Sequence, residues 1–96
     1  VAKAALESTV RYLAADLGEA GIRVNAVSAG PIKTASARGI PGFSSMQEEA
    51  LKRAPLGDVF VPEHVANMTA FLCSDGAAGI TGDVILVDGG YHAMGF

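Results

Sequence analysis

Apolar side chains recur at spacings of three and four along the first part of the chain. Leu6, Val10, Leu13 and Leu17 make one stripe, with Ala2, Ala5 and Ala14 beside it. That period is the signature of a helix that buries one face. Glu7 and Arg11 are spaced to pair across one turn on the wet side. Gly18 and Gly21 end the pattern, as glycine commonly does just past a helix C-terminus, so the spacing predicts a helix over 1–17. The period then changes. Ile22-Arg23-Val24-Asn25-Ala26-Val27 is short, rich in β-branched residues and preceded by a glycine turn, which predicts a strand. Ser28-Ala29-Gly30-Pro31 breaks it. Residues 28–44 carry Gly30, Pro31, Gly39, Pro41 and Gly42 and read as a loop, long enough to serve as a lid or binding loop. Ser45-Met46-Gln47-Glu48 has the spacing of a capping box. It opens a short helix to about Ala54, ended by Pro55 and Gly57. Pro62-Glu63 suits the first turn of another helix, with Val65, Met68, Phe71 and Leu72 as its buried stripe and an end near Ser74. Val84-Ile85-Leu86-Val87 is an unbroken apolar run of the kind found in strands buried on both faces, and Asp88-Gly89-Gly90 ends it.

This order of elements is α/β. Two apolar strands separated by helices imply a parallel pair joined by a right-handed crossover. A parallel sheet needs helices on both faces, so two strands alone make a poor one. The first helix begins at Val1 with no Ser, Thr, Asp or Asn before it as a cap. Both features lead us to expect a piece of a larger fold. Composition narrows the class further. The 96 residues are 50% hydrophobic and 18% charged, with a mean hydropathy of +0.35, too apolar for a disordered segment. The net charge of −3 and the absence of any basic run beyond Lys52-Arg53 give no nucleic-acid footprint. The charge-free stretch between Glu63 and Asp75 is too short for a membrane span, and no signal segment opens the chain. The single Cys73 cannot form an internal disulfide, which fits a reducing compartment.

In open parallel sheets, ligands bind outside the carboxyl ends of the strands. Two loops answer to that description, Ser28–Ser44 and the stretch from Asp88 onward. In the first, Gly30-Pro31 lets backbone approach a ligand, the Ile32 amide can donate and Thr34 offers a hydroxyl; a plain strand-to-helix connection is the competing reading. Lys3 on the first helix reads by itself as a solvent-facing residue. Ser28, His64 and Asp88 do not make a hydrolase triad, because no nucleophile-elbow motif accompanies them. Cys73 reads as a packing residue on a buried helix face. Two histidines and one cysteine at scattered spacings make no metal site. Phe43 and Met46 suit either a core or the lining of a greasy pocket.

Several segments together resemble the short-chain dehydrogenase/reductase superfamily: Ala2-Lys3-Ala4-Ala5, Gly21-Ile22-Arg23-Val24-Asn25, Gly30-Pro31-Ile32-Lys33-Thr34, Phe71-Leu72-Cys73-Ser74-Asp75, Ile80-Thr81-Gly82 and Val87-Asp88-Gly89-Gly90. Within it, Ser28-Ala29-Gly30-Pro31-Ile32-Lys33-Thr34 is most similar to the NADH-dependent enoyl-[acyl-carrier-protein] reductases, where most of the superfamily has Pro-Gly in place of Ala29-Gly30. The resemblance implies the last two strands, with flanking helices, of a Rossmann-type doubly wound parallel sheet. It makes 1–96 the C-terminal portion of one NAD(P)-binding domain, with residues 34–54 a substrate-binding lid. It implies that Lys3 is the active-site lysine, which holds the nicotinamide ribose. Ala29, Gly30, Pro31, Ile32, Lys33, Thr34, Ala35 and Ser36 would contact NADH (NAD+), and Ile40, Phe43 and Met46 would face the acyl chain. The partners implied are an acyl carrier protein bearing an enoyl thioester and three further copies in a homotetramer, with no metal, nucleic acid or membrane. The compartment implied is the cytoplasm of a bacterium, or the plastid in a eukaryote. The catalytic tyrosine of that family lies before Val1, and Tyr12 and Tyr91 do not replace it. The alternatives are another short-chain reductase, such as a 3-oxoacyl-[acyl-carrier-protein] reductase, or a non-catalytic chain that docks onto a partner.

Overall fold

The computed structural model describes residues 1–30, 32, 42–57 and 59–94, with the side chains of 43, 44 and 46 outside the description. Helix α1 spans Ala2–Leu17, strand β1 Ala26–Ala29, helix α2 Phe43–Arg53, helix α3 Pro62–Leu72 and strand β2 Val84–Val87. Short 3-10 turns lie at Gly18–Ala20, Asp75–Ala77 and Tyr91–Ala93. The chain forms two compact units, one of Val1–Val27 with Met68–Ile85, the other of Ser28–Asn67 with Leu86–Phe96.

In the first unit, α1 buries Val10 and Ala14, each 7% exposed, while Leu6 and Leu13 stay exposed. The buried seam is therefore narrower than the leucine stripe predicts. It is set by small side chains: a Cβ on Gly82 would stand 3.4 Å from that of Ala14. The expected Glu7–Arg11 pair is not found among the described residues; the Arg11 guanidinium donates to the Ser8 hydroxyl at 3.2 Å instead. Helical geometry continues through Gly18 into the 3-10 turn, and the reversal occurs at Gly21, whose φ is 76°. A left-handed residue there suits glycine, which has no Cβ to clash.

Strand β1 starts four residues later than the sequence predicts and includes Ser28 and Ala29. Side chains hold the polypeptide before it. The Val24 amide donates to the Thr81 hydroxyl at 3.0 Å. The Asn25 amide group donates to the Ile80 carbonyl at 2.9 Å, and its oxygen accepts from the Asp83 amide at 3.1 Å. With both ends of Asn25 engaged, residues 22–25 are tied to 80–83 without a regular ladder. The ladder proper begins where Ala26 N–H donates to Asp83 O at 2.9 Å, and Gly30 N–H donates to Val87 O at 3.3 Å. Both pairs advance in the same direction, so β1 and β2 are parallel neighbours. Strand β2 is only partly buried, with Leu86 exposed, unlike the doubly covered strand expected from its composition.

Helix α3 starts at Pro62 as predicted and stops at Leu72. Its end is capped from a distance. The Arg23 guanidinium donates to the Leu72 carbonyl at 2.6 Å and to the Ser74 carbonyl at 3.3 Å, so a cation sits at the negative end of the helix dipole. Leu72 is buried but Phe71 is exposed, and Cys73 lies past the helix end and is exposed. The packing role expected of Cys73 is therefore corrected.

In the second unit, α2 begins two residues before the predicted capping serine. Its N-cap is Gly42, with φ 78°, and no side chain caps it. Ser45 thus lies inside the helix and the capping box is not formed. The core of this unit is Ala50, Ala54 and Phe60, with Ile32 and Leu51 packed against it.

Candidate functional site

The carboxyl ends of β1 and β2 lie side by side in the second unit. Ala29 is exposed at the end of β1, and the next residue, Gly30, is bonded to Val87 of β2. The Phe60 ring lies against Gly30 so closely that a Cβ there would overlap its Cε1 and Cδ1 atoms. Ile32 is partly buried against the same cluster. These residues stand at the strand ends, the position at which open parallel sheets take ligands. Pro31, Lys33, Thr34, Ala35, Ser36 and Ile40 lie outside the described residues. Phe43 and Met46 fall on the first turns of α2, where only their backbone is described. The structure therefore brings together Ala29, Gly30 and Ile32 of the predicted set.

After β2 the chain turns sharply. Gly89 and Gly90 have φ of 64° and 89°, values that a side chain disfavours. They also press on the polypeptide after α2. A Cβ on Gly89 would lie 2.6 Å from Val59 Cγ2, and one on Gly90 3.1 Å from the Pro55 ring. Leu56 N–H donates to Gly89 O at 3.1 Å.

One buried carboxylate holds this turn. Asp88 is 7% exposed. It accepts the Gly90 amide on Oδ1 at 3.1 Å and the His92 amide on Oδ2 at 3.0 Å. The His92 ring donates from Nδ1 to Oδ1 at 2.9 Å and Oδ2 at 3.1 Å. An ionised carboxylate only accepts, so Nδ1 carries the proton. Burial pushes the Asp88 carboxyl up, but the hydrogen bonds from the His92 ring and the two amides, with the charge of His92, outweigh it and leave the group below its ordinary value. This clamp is not among the sites the sequence points to. The one local signal for it is an Asp and a His four residues apart around a Gly-Gly pair. His64 is exposed on the first turn of α3. Asp88 is thus committed to the turn, and the rejected triad does not form.

Lys3 belongs to the first unit, exposed on the first turn of α1, and pairs with no carboxylate among the described residues. The first unit also has an open cavity of about 500 Å³, lined in part by Arg23, Asn25, Thr69 and Cys73. Arg23 and Asn25 are already bonded to the backbone, and none of the predicted site residues among the described ones lines it. Among the described residues, no three His, Cys, Asp or Glu side chains could hold a metal, and no helix is long and apolar enough to cross a membrane.

Comparison with known proteins agrees with the resemblance in the sequence. The family described as Enoyl-(Acyl carrier protein) reductase matches residues 1–92. A Bacillus cereus protein named enoyl-[acyl-carrier-protein] reductase [NADH] FabI is 55% identical over 95 residues, which cover 99% of this chain and 37% of that protein. An Aquifex aeolicus protein of the same name is 54% identical over 95 residues, 99% of this chain and 35% of that protein. A crystal structure of the Bacillus cereus enzyme with NADP+ and indole naphthyridinone superposes with a TM-score of 0.94 at 54% identity, covering 99% of this chain and 37% of the other. The chain thus spans little more than a third of the relatives it matches, and its α/β fold is the corresponding part of theirs.

Proposed function

The chain belongs to the enoyl-(acyl carrier protein) reductase family, and on that premise we propose that it is the C-terminal portion of an enzyme that reduces trans-2-enoyl-[acyl-carrier-protein] to acyl-[acyl-carrier-protein] with NADH in fatty acid biosynthesis. The observation that carries this reading is the identity of 55% over nearly the whole chain to a protein named for that reaction. No observation of comparable weight favours the 3-oxoacyl reductase or the docking chain.

The residues present fit a nicotinamide dinucleotide. A parallel strand pair ends in an exposed alanine, at the sheet edge where such a ligand is taken. On this reading Ala29, Gly30, Pro31, Ile32, Lys33, Thr34, Ala35 and Ser36 hold the nicotinamide end and its phosphate. Lys3 hydrogen-bonds the ribose hydroxyls, and its charge stabilises the anion that develops on the substrate oxygen. Residues 34–54 form the lid, with Ile40, Phe43 and Met46 against the acyl chain, where apolar side chains exclude water from the thioester. When bound, NADH supplies the hydride that reduces the β-carbon of the enoyl group. Neither Tyr12 nor Tyr91, both exposed, is assigned the part that the family's tyrosine plays at the substrate oxygen. The enzyme acts as a cytoplasmic homotetramer on a thioester carried by an acyl carrier protein.

Substrate preference tests the reading. The full-length enzyme should oxidise NADH, followed by absorbance, with a trans-2-enoyl thioester and not with a 3-oxoacyl thioester. The opposite preference assigns the chain to the 3-oxoacyl reductases, and activity with neither supports the docking chain.

A further inference from the structure

We propose that Phe60 is a positioning residue for the cofactor segment, and that the space its ring fills sets how tightly the enzyme holds NADH. The proposal rests on the reading of residues 29–36 as that segment. Phe60 is 6% exposed and is the largest member of its cluster, whose other buried members are Ala50 of α2 and Ala54 at its C-cap. Its ring meets Gly30, the first residue beyond β1, and Ile32 packs against its cluster. The backbone of Gly30 is not in the left-handed region, so conformation does not require glycine there. The ring does, because a Cβ would overlap Phe60 Cε1 and Cδ1 and lie 3.4 Å from Cζ.

Phe60 therefore ties Gly30 to the end of α2 at Ala50 and Ala54, and the cluster it dominates also holds Ile32. The polypeptide leading to Phe60 is itself braced. Leu56 and Val59 lie against the Gly89 turn, which Asp88 holds. Phe60 touches the segment from the core side and is assigned no contact with the cofactor. Its effect is to remove freedom from groups that do make contact, so truncation should loosen binding before it slows chemistry.

The test is a titration of the full-length enzyme with NADH, read by nucleotide fluorescence, with unfolding monitored in parallel. Phe60→Ala should raise the Kd for NADH by about tenfold, and Phe60→Leu by less, as the lost volume is smaller. KM for NADH should rise more than kcat falls. Gly30→Ala should also weaken binding, and Phe60→Leu added to it should recover part of the loss, since the smaller side chain admits the new methyl. If Phe60→Ala does not fold, Phe60→Leu and the double variant carry the test. Folded Phe60 variants with an unchanged Kd overturn the proposal, as does a double variant whose losses simply add. A wild-type enzyme that binds no NADH overturns instead the reading on which the proposal rests.

Discussion

The Asp88 clamp allows a quantitative prediction. Asp88→Asn keeps the shape of the side chain but replaces one carboxylate oxygen with an NH2 group. In the native clamp each oxygen accepts a different backbone amide, Gly90 on Oδ1 and His92 on Oδ2. The substitution therefore leaves one buried amide facing a donor, and it removes the charge that the His92 ring meets. A hydrogen bond to a charged group contributes about 1.5–3 kcal/mol. The His92 side chain is half exposed, so its share is screened and small. The expected loss is about 2–3 kcal/mol, most of it from the amide. For a domain of 150–250 residues this lowers Tm by about 4–12 °C. The sign with pH follows from the depressed carboxyl. Because the folded group titrates below its ordinary value of 3.8, its contribution is complete above the unfolded pKa and is lost as pH falls through the folded one. Thermal unfolding of the full-length wild type and variant should show a gap at pH 7 and pH 5 that narrows below about pH 4. An equal Tm for the two proteins at pH 7, or a gap that widens below about pH 4, would refute the reasoning.

Two further substitutions probe other parts of the account. Arg23→Ala removes a donor from the last carbonyl of α3 and another from Ser74 just past it, and should cost about 1–3 kcal/mol in denaturant unfolding. Hydrogen exchange should show the lost protection concentrated at the end of α3. Lys3→Ala in the full-length enzyme should lower turnover and weaken NADH binding while leaving Tm within a degree or two, because Lys3 is exposed and surface substitutions change stability by about 0.5 kcal/mol or less. Unchanged steady-state kinetics would remove Lys3 from the active site.

The parts of the fold that were legible in the sequence are those decided locally. The helix over 1–17, the proline start of α3 and the β2 strand at 84–87 follow from periodicity and turn chemistry, and the structure has all three. The parts that were not legible depend on partners far along the chain. Ile22–Asn25 has the composition of a strand, yet Thr81, Asn25 and Asp83 hold it in irregular pairing. The end of α3 is set by Arg23, nearly fifty residues earlier in the chain. At α2 the local capping rule lost: Gly42, in the left-handed region, is the N-cap and the helix starts at Phe43, so Ser45 becomes an interior residue. Of the candidate site, the strand-end position of Ala29, Gly30 and Ile32 follows from sheet topology alone. That Phe60 fills the space beside Gly30 does not, since nothing near Phe60 in the chain marks it as more than an ordinary core residue.

Isotope transfer tests the central claim most directly. The full-length enzyme, given a trans-2-enoyl thioester and NADH deuterated on the transferring face of nicotinamide C4, should yield a saturated acyl thioester with one deuterium at the β-carbon per NADH oxidised. Unchanged enoyl thioester, or deuterium found only at the hydroxyl-bearing carbon of a product made from a 3-oxoacyl thioester, would contradict it.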